Sequence, residues 1–134
     1  MKISNNNTGT HSGHITKLAS VNIGQKHLLG VFGKYYTQVE VCKADQAPFG
    51  VMTDIASINE PINVAILGNT GTSLKMVAAV AIKAGSMVFT ADNGRIQALP
   101  TVKGNYYEIG MALTDAEKDD DVEVASCVAR KVTI

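Results

Sequence analysis

The chain has 134 residues, 46% hydrophobic and 18% charged, and its twelve basic and twelve acidic side chains cancel. That much apolar material supports one modest core and excludes global disorder. The cancelled charge, with no basic stripe, excludes phosphate-driven nucleic-acid binding, and no apolar run approaches the ~18–20 residues of a membrane-spanning helix.

Residues 1–16 stand apart. Asn, Thr, Ser, Gly and His dominate them, with Ile3 and Ile15 as the clear apolar points after Met1. Such a segment cannot bury enough surface to offset its ordering entropy, so it reads as a flexible N-terminal arm ahead of a single β domain over 17–134. The same stretch lacks the apolar centre of a signal peptide, which points to a chain made and kept in a cytoplasm. His11 and His14 lie three apart in it, and His27 follows. A specific metal site needs three or four fixed ligands, so no metal is expected.

Beyond the arm the pattern is β throughout. Residues 36–44, YTQVEVCKA, alternate Gln38 and Glu40 against Val39 and Val41. The runs at 62–68, 86–90, 106–113 and 122–134 are β-branched or aromatic and are bounded by Gly, Asn and Asp. Residues 74–82, LKMVAAVAI, contain alanines that permit a helix. Their shortness and flanking turns favour a strand. Asp92-Asn93-Gly94 predicts a two-residue hairpin loop, because Asn and Gly accept positive φ. Lys83-Ala84-Gly85 supplies a second glycine turn.

An internal echo accompanies these strands. Residues 49–67 match 109–127 at a constant offset of 60, with Gly50 on Gly110, Ile62 on Val122, Val64 on Val124 and Ala65 on Ala125. Further upstream, NIGQ at 22–25 falls near KAGS at 83–86. The predicted fold is therefore all-β, a small barrel or sandwich-like domain built from two related halves at about 19–68 and 78–128.

Each candidate for chemistry has a structural reading. In GNTGTSLK, 68–75, the lysine does not directly follow the second glycine as a phosphate loop requires, so the segment reads as a connector between halves. The acidic run DAEKDDD, 115–121, lacks the ligand spacing of a calcium loop. Asp54 and Asp115 follow similar strand ends, which fits turn capping better than paired acid–base work. Cys42 and Cys127 each sit in an apolar run and read as reduced core thiols, with a disulfide between them as the alternative. Neither has a histidine nearby in sequence. No catalytic residue and no cofactor is predicted.

The stretch VAIKAGSMVFTADNGRIQAL followed by YYEIGMALTDAEKDDDVEVASCV resembles the C-terminal half of small phage capsid decoration proteins, also called cement or head-stabilising proteins. Ile82, Ala84, Gly85 and Val88 match the first element of that pattern, and Asp92, Asn93 and Gly94 its hairpin. Ile109, Gly110, Ala112 and Leu113 match the third element, and Val122, Glu123 and Val124 the last. The first half is similar through FGVMTD and INVAILG. Ser86 departs from the pattern, which more often has an acidic residue after the glycine. The resemblance implies a non-enzymatic virion protein on the outside of an icosahedral head, often a trimer at local threefold positions, with the major capsid protein as partner. The arm residues Ile3, Asn5, Asn6, Asn7, His11, His14 and Ile15 are then the expected capsid contacts. The alternative is a biotinyl or lipoyl carrier modified at Lys75, since SLKMVAAVAIKAGSMV loosely resembles one. Carriers present that lysine at a hairpin tip, and here Leu74 precedes it.

Overall fold

The computed structural model describes residues 12–134. The β-branched and alternating runs pair into ten strands among the described residues. β1 (His14–Ala19), β2 (Leu28–Phe32), β3 (Gln38–Val41), β4 (Gly50–Met52) and β5 (Pro61–Ile66) form a closed barrel in the order β1-β3-β2-β4-β5. β6 (Leu74–Val77), β7 (Met87–Thr90), β8 (Ile96–Gln97), β9 (Asn105–Ala112) and β10 (Asp121–Thr133) follow in a second sheet ordered β6-β10-β9-β7-β8. A parallel bridge from Ala78 to Ile96 brings β8 back beside the end of β6, so the second sheet curls in the same circular order as the first.

The two units agree residue by residue. Leu18 faces Pro61 across β1 and β5, and Val77 faces Asp121 across β6 and β10. Gly30 faces Gly50, and Val88 faces Gly110. The isolated bridge Ile23–Ala56 repeats as Ile82–Ala116. The turns that precede β5 and β10 place Asn59 and Asp119 in the left-handed region, at φ 70 and 72. The residues before Asn59 and Asp119 are held alike as well. The Ser57 N–H donates to Glu60 Oε1 at 2.7 Å, and the Glu117 N–H to Asp120 Oδ2 at 3.2 Å. One short polar turn thus serves both halves, and a carboxylate fixes each copy.

Alternation of side chains along the strands divides the core in two. Leu28, Val39, Met52, Ile62 and Val64 fill the first barrel together with Val77 from β6. The intervening residues Leu29, Val31, Val51 and Ala65 point the other way and join the core of the second unit with Met76, Val88, Ile96, Ile109, Val122 and Val124. The halves are therefore packed on one another through apolar contact, not merely tethered by residues 67–73.

Several boundaries differ from the sequence reading. β1 begins at His14, so residues 14–16 belong to the barrel and not to the arm: His14, Ile15 and Thr16 pair with Ala65, Val64 and Asn63. β6 ends at Val77, where the chain bends into the Ala78 bridge; the run to Ile82 is not one strand. Asp92-Asn93-Gly94 forms a single 3-10 turn between β7 and β8 instead of a two-residue loop, though Asn93 and Gly94 do take positive φ, 61 and 71. The upstream echo pairs Ile23 with Ile82, two residues earlier than the NIGQ–KAGS match suggests. β1, β2 and β4 lie in stretches where periodicity was too short or too interrupted to mark a strand.

Candidate interaction surface

The described residues contain no group of three or more His, Cys, Asp and Glu side chains placed to hold a metal ion. The individual candidates serve the turns. Asp54 Oδ1 accepts the Ile55 N–H at 2.8 Å, and Asp115 Oδ1 accepts the Ala84 N–H at 2.8 Å, which ties the acidic loop to the glycine turn before β7. The two carboxylates are held by different segments and form no pair. Lys75 lies inside β6 opposite Glu123 of β10, not at a hairpin tip, so the carrier geometry is absent.

The cysteines behave differently from each other. Cys42 is buried just past β3, and burial, reinforced by the nearby Asp45 charge, pushes its thiol up to about 12. A thiol so placed is protonated and inert at neutral pH. Cys127 is exposed on β10, contrary to its reading as a core residue, because the strand is irregular between Ser126 and Arg130 and turns this residue outward. Both are free thiols.

Of the expected contact residues, Ile3, Asn5, Asn6, Asn7 and His11 lie outside the described residues. His14 and Ile15 are on β1. His14 is exposed, with Nδ1 3.2 Å from Asn63 Nδ2, and that amide also donates to Thr53 Oγ1 at 2.7 Å. Ile15 is half-buried against the core of the first barrel. These two residues anchor the N-terminal segment to the barrel wall.

A surface that sequence reading passed over stands at one end of that barrel. Phe32, at the end of β2, stacks on Phe49 with ring centroids 4.1 Å apart and planes 4° from parallel. The Lys17 ammonium lies 5.6 Å from the Phe32 ring centre and 5.4 Å from that of Tyr36, and Lys34 lies 5.5 Å from Tyr35. Phe32, Tyr35 and Tyr36 are 49%, 57% and 77% exposed. Rigid aromatic faces with cations held over them suit burial against another protein, where such side chains contribute most of the contact energy. The available signal was composition: Phe32, Tyr35, Tyr36 and Phe49 are four of only seven Phe and Tyr in the chain.

Comparison with known proteins points to a phage structural family. A family model described as phage cement protein matches residues 5–128. Among solved structures, the chain is similar to the N base of head fiber gp8.5 in bacteriophage phi29, with a TM-score of 0.64, 17% identity, and coverage of 87% of this chain and 92% of that one. Among curated proteins, none matches the sequence.

Proposed function

The chain belongs to the phage cement protein family, and from that premise we propose that it binds the outer surface of a phage head and ties neighbouring major capsid subunits together. The observation that carries the reading is the family match over residues 5–128, nearly the whole chain. The likeness to a phage head fiber base adds a fold already used on a phage head. The role is structural and not catalytic, and the site of action is the virion.

The mechanism is linkage. A protein that binds only the assembled, expanded lattice stabilises that lattice by its binding free energy, RT ln(1 + [L]/Kd) for each site. A chain that touches two subunits at once resists their separation directly. Three copies joined at a local threefold position would add avidity, since the second and third contacts become intramolecular. The N-terminal residues Ile3, Asn5, Asn6, Asn7 and His11 supply further capsid contact in this reading. The thirteen residues ahead of β1 can span at most ~45 Å, enough to reach an adjacent subunit from an anchor at His14 and Ile15.

The test is a titration of purified heads that lack this protein. Occupancy is read by cosedimentation, and head stability by the temperature of DNA release. Saturable binding with a rise in release temperature supports the reading. Binding to unassembled capsid protein equal to that on heads, or no binding at all, overturns it.

A further inference from the structure

The packing of the first barrel on the second sheet leaves each unit with one side mated and one side bare. The mated interface has two sides. On the first barrel, Leu29, Val51 and Ala65 point outward and are covered by the second unit. On the second, the turn after β7 presses on the first barrel: the Gly94 N–H donates to Cys42 O at 2.8 Å, and Thr90 Oγ1 donates to Ala44 O at 2.5 Å. A Cβ on Gly94 would sit 2.9 Å from Leu28 Cβ, so this tip is seated without a gap. Val77 of β6 completes this side by entering the core of the first barrel.

Internal equivalence identifies the unmated counterparts. Leu29 faces Val51 in β2 and β4 as Met87 faces Met111 in β7 and β9. Val51 faces Ala65 as Met111 faces Ala125. Leu99 counts from Ile96 as Cys42 counts from Val39. Yet Met87, Met111 and Leu99 are 39%, 39% and 65% exposed, where Leu29, Val51 and Cys42 are fully buried. The other side repeats too. The Gln38 N–H donates to Tyr35 O as the Arg95 N–H donates to Asp92 O, so residues 35–37 are the first barrel's version of the seated tip. That tip carries exposed tyrosines, and Leu18, the counterpart of Val77, is 43% exposed.

We infer that a second copy of the chain covers these faces head to tail, seating its tip at residues 35–37, with Leu18, on the Met87–Met111–Leu99 face of its neighbour. The contact inside the chain supplies the template, because the same fold presents the same two sides again and both are apolar. The contact is heterologous, so it leaves one tip and one face free at the ends until a ring closes. This deepens the self-association in the proposed function and rests on that reading only for where it occurs.

The test uses the full chain in sedimentation velocity over a rising concentration series. Two variants are made, Met111→Glu on the face and Tyr36→Glu on the tip, with Met87→Lys and Tyr35→Glu as replacements should either fail to melt cooperatively. The wild type should associate beyond the monomer. Each variant alone should lose that association by tenfold or more. An equimolar mixture should recover a one-to-one dimer and nothing larger, because one intact tip meets one intact face. A wild type that stays monomeric throughout, a variant that associates as wild type does, or a mixture that remains monomeric overturns the inference. Occupancy of heads by wild type is measured in parallel: normal decoration by a protein that never self-associates would reject the head-to-tail contact while leaving capsid binding in place.

Discussion

Replacing Gly110 by alanine should be among the most damaging single-methyl additions the chain can suffer. Gly110 sits in β9 at φ 152, a backbone conformation L side chains rarely adopt, and it faces Ser126 of β10. A Cβ there would lie 2.3 Å from Ala125 O, 2.8 Å from Val124 Cγ1 and 3.0 Å from Ser126 Cα. Two of those atoms are backbone of a paired strand and cannot swing aside. Residence in so sparse a region costs ~1–3 kcal/mol, and forcing a methyl into a packed site costs a further ~1–3 kcal/mol. The combined loss of ~2–6 kcal/mol is a large share of the ~5–15 kcal/mol that holds a domain folded. At ~3–5 °C per kcal/mol for a chain of this size, the melting temperature should fall by ~6–30 °C. Gly50, the counterpart in β4, has an ordinary φ but would meet Val64 Cγ1 at 2.5 Å and Ala65 O at 2.6 Å, so Gly50→Ala should cost less, ~2–3 kcal/mol. Gly71 has nothing within 4 Å of an added Cβ, and Gly71→Ala should change stability by no more than ~0.5 kcal/mol. Thermal melts followed by circular dichroism, with urea titrations for the free energies, rank the three. A Gly110→Ala protein that melts with the wild type, or a Gly71→Ala protein as damaged as Gly110→Ala, would refute the steric reasoning.

Other outcomes follow from the same structure. Burial holds the Cys42 thiol protonated up to about 12, whereas the unfolded chain releases that proton near 9.0. The folded state then binds more protons than the unfolded state between those values, so stability contributed below pH 9 is lost as pH rises toward 12. The fall should be shallower in Cys42→Ala, read as the difference between the two proteins' melting temperatures across that range. In native protein at pH 8, iodoacetamide should label Cys127 and spare Cys42; equal labelling of both would contradict the burial of Cys42. Deleting residues 1–11 leaves β1 whole, so the melt of the free protein should stay within a few degrees while occupancy of heads falls; undiminished occupancy across a titration would remove the N-terminal segment from the contact. Intact mass of the chain produced in its host should equal that of the unmodified sequence, and an added mass on Lys75 would revive the carrier reading despite its place inside β6.

The fold class was legible because β10 and β9 carry long β-branched and aromatic runs, and because Asn93 and Gly94 announce a positive-φ turn. The two-unit architecture was legible from Gly50 and Gly110, since both lie where a Cβ would strike the neighbouring strand and neither half tolerates a side chain there. β1 was hidden by composition: His14 and Thr16 are exposed, and Leu18 puts an apolar residue on that same outward face, so pairing with β5 decides what periodicity could not. β2 was hidden because Leu28, Leu29 and Val31 are buried on both faces, one toward each core, which erases alternation. The aromatic end of the first barrel was readable as the FGKYY cluster, but only the fold shows Phe49 arriving from a distant loop to stack on Phe32. The exposure of Met87, Met111 and Leu99 could not be read at all, since an apolar residue on a strand gives no sign of which face is left uncovered.

Whether the chain ties capsid subunits together on the head surface is visible in a cryo-electron microscopy reconstruction of heads decorated with it. Density for the barrel and its companion sheet is expected on the outer surface, each copy touching at least two major capsid subunits, with copies grouped around local threefold positions. Isolated copies seated within the footprint of a single capsid subunit, or heads that remain bare after saturation, would contradict it.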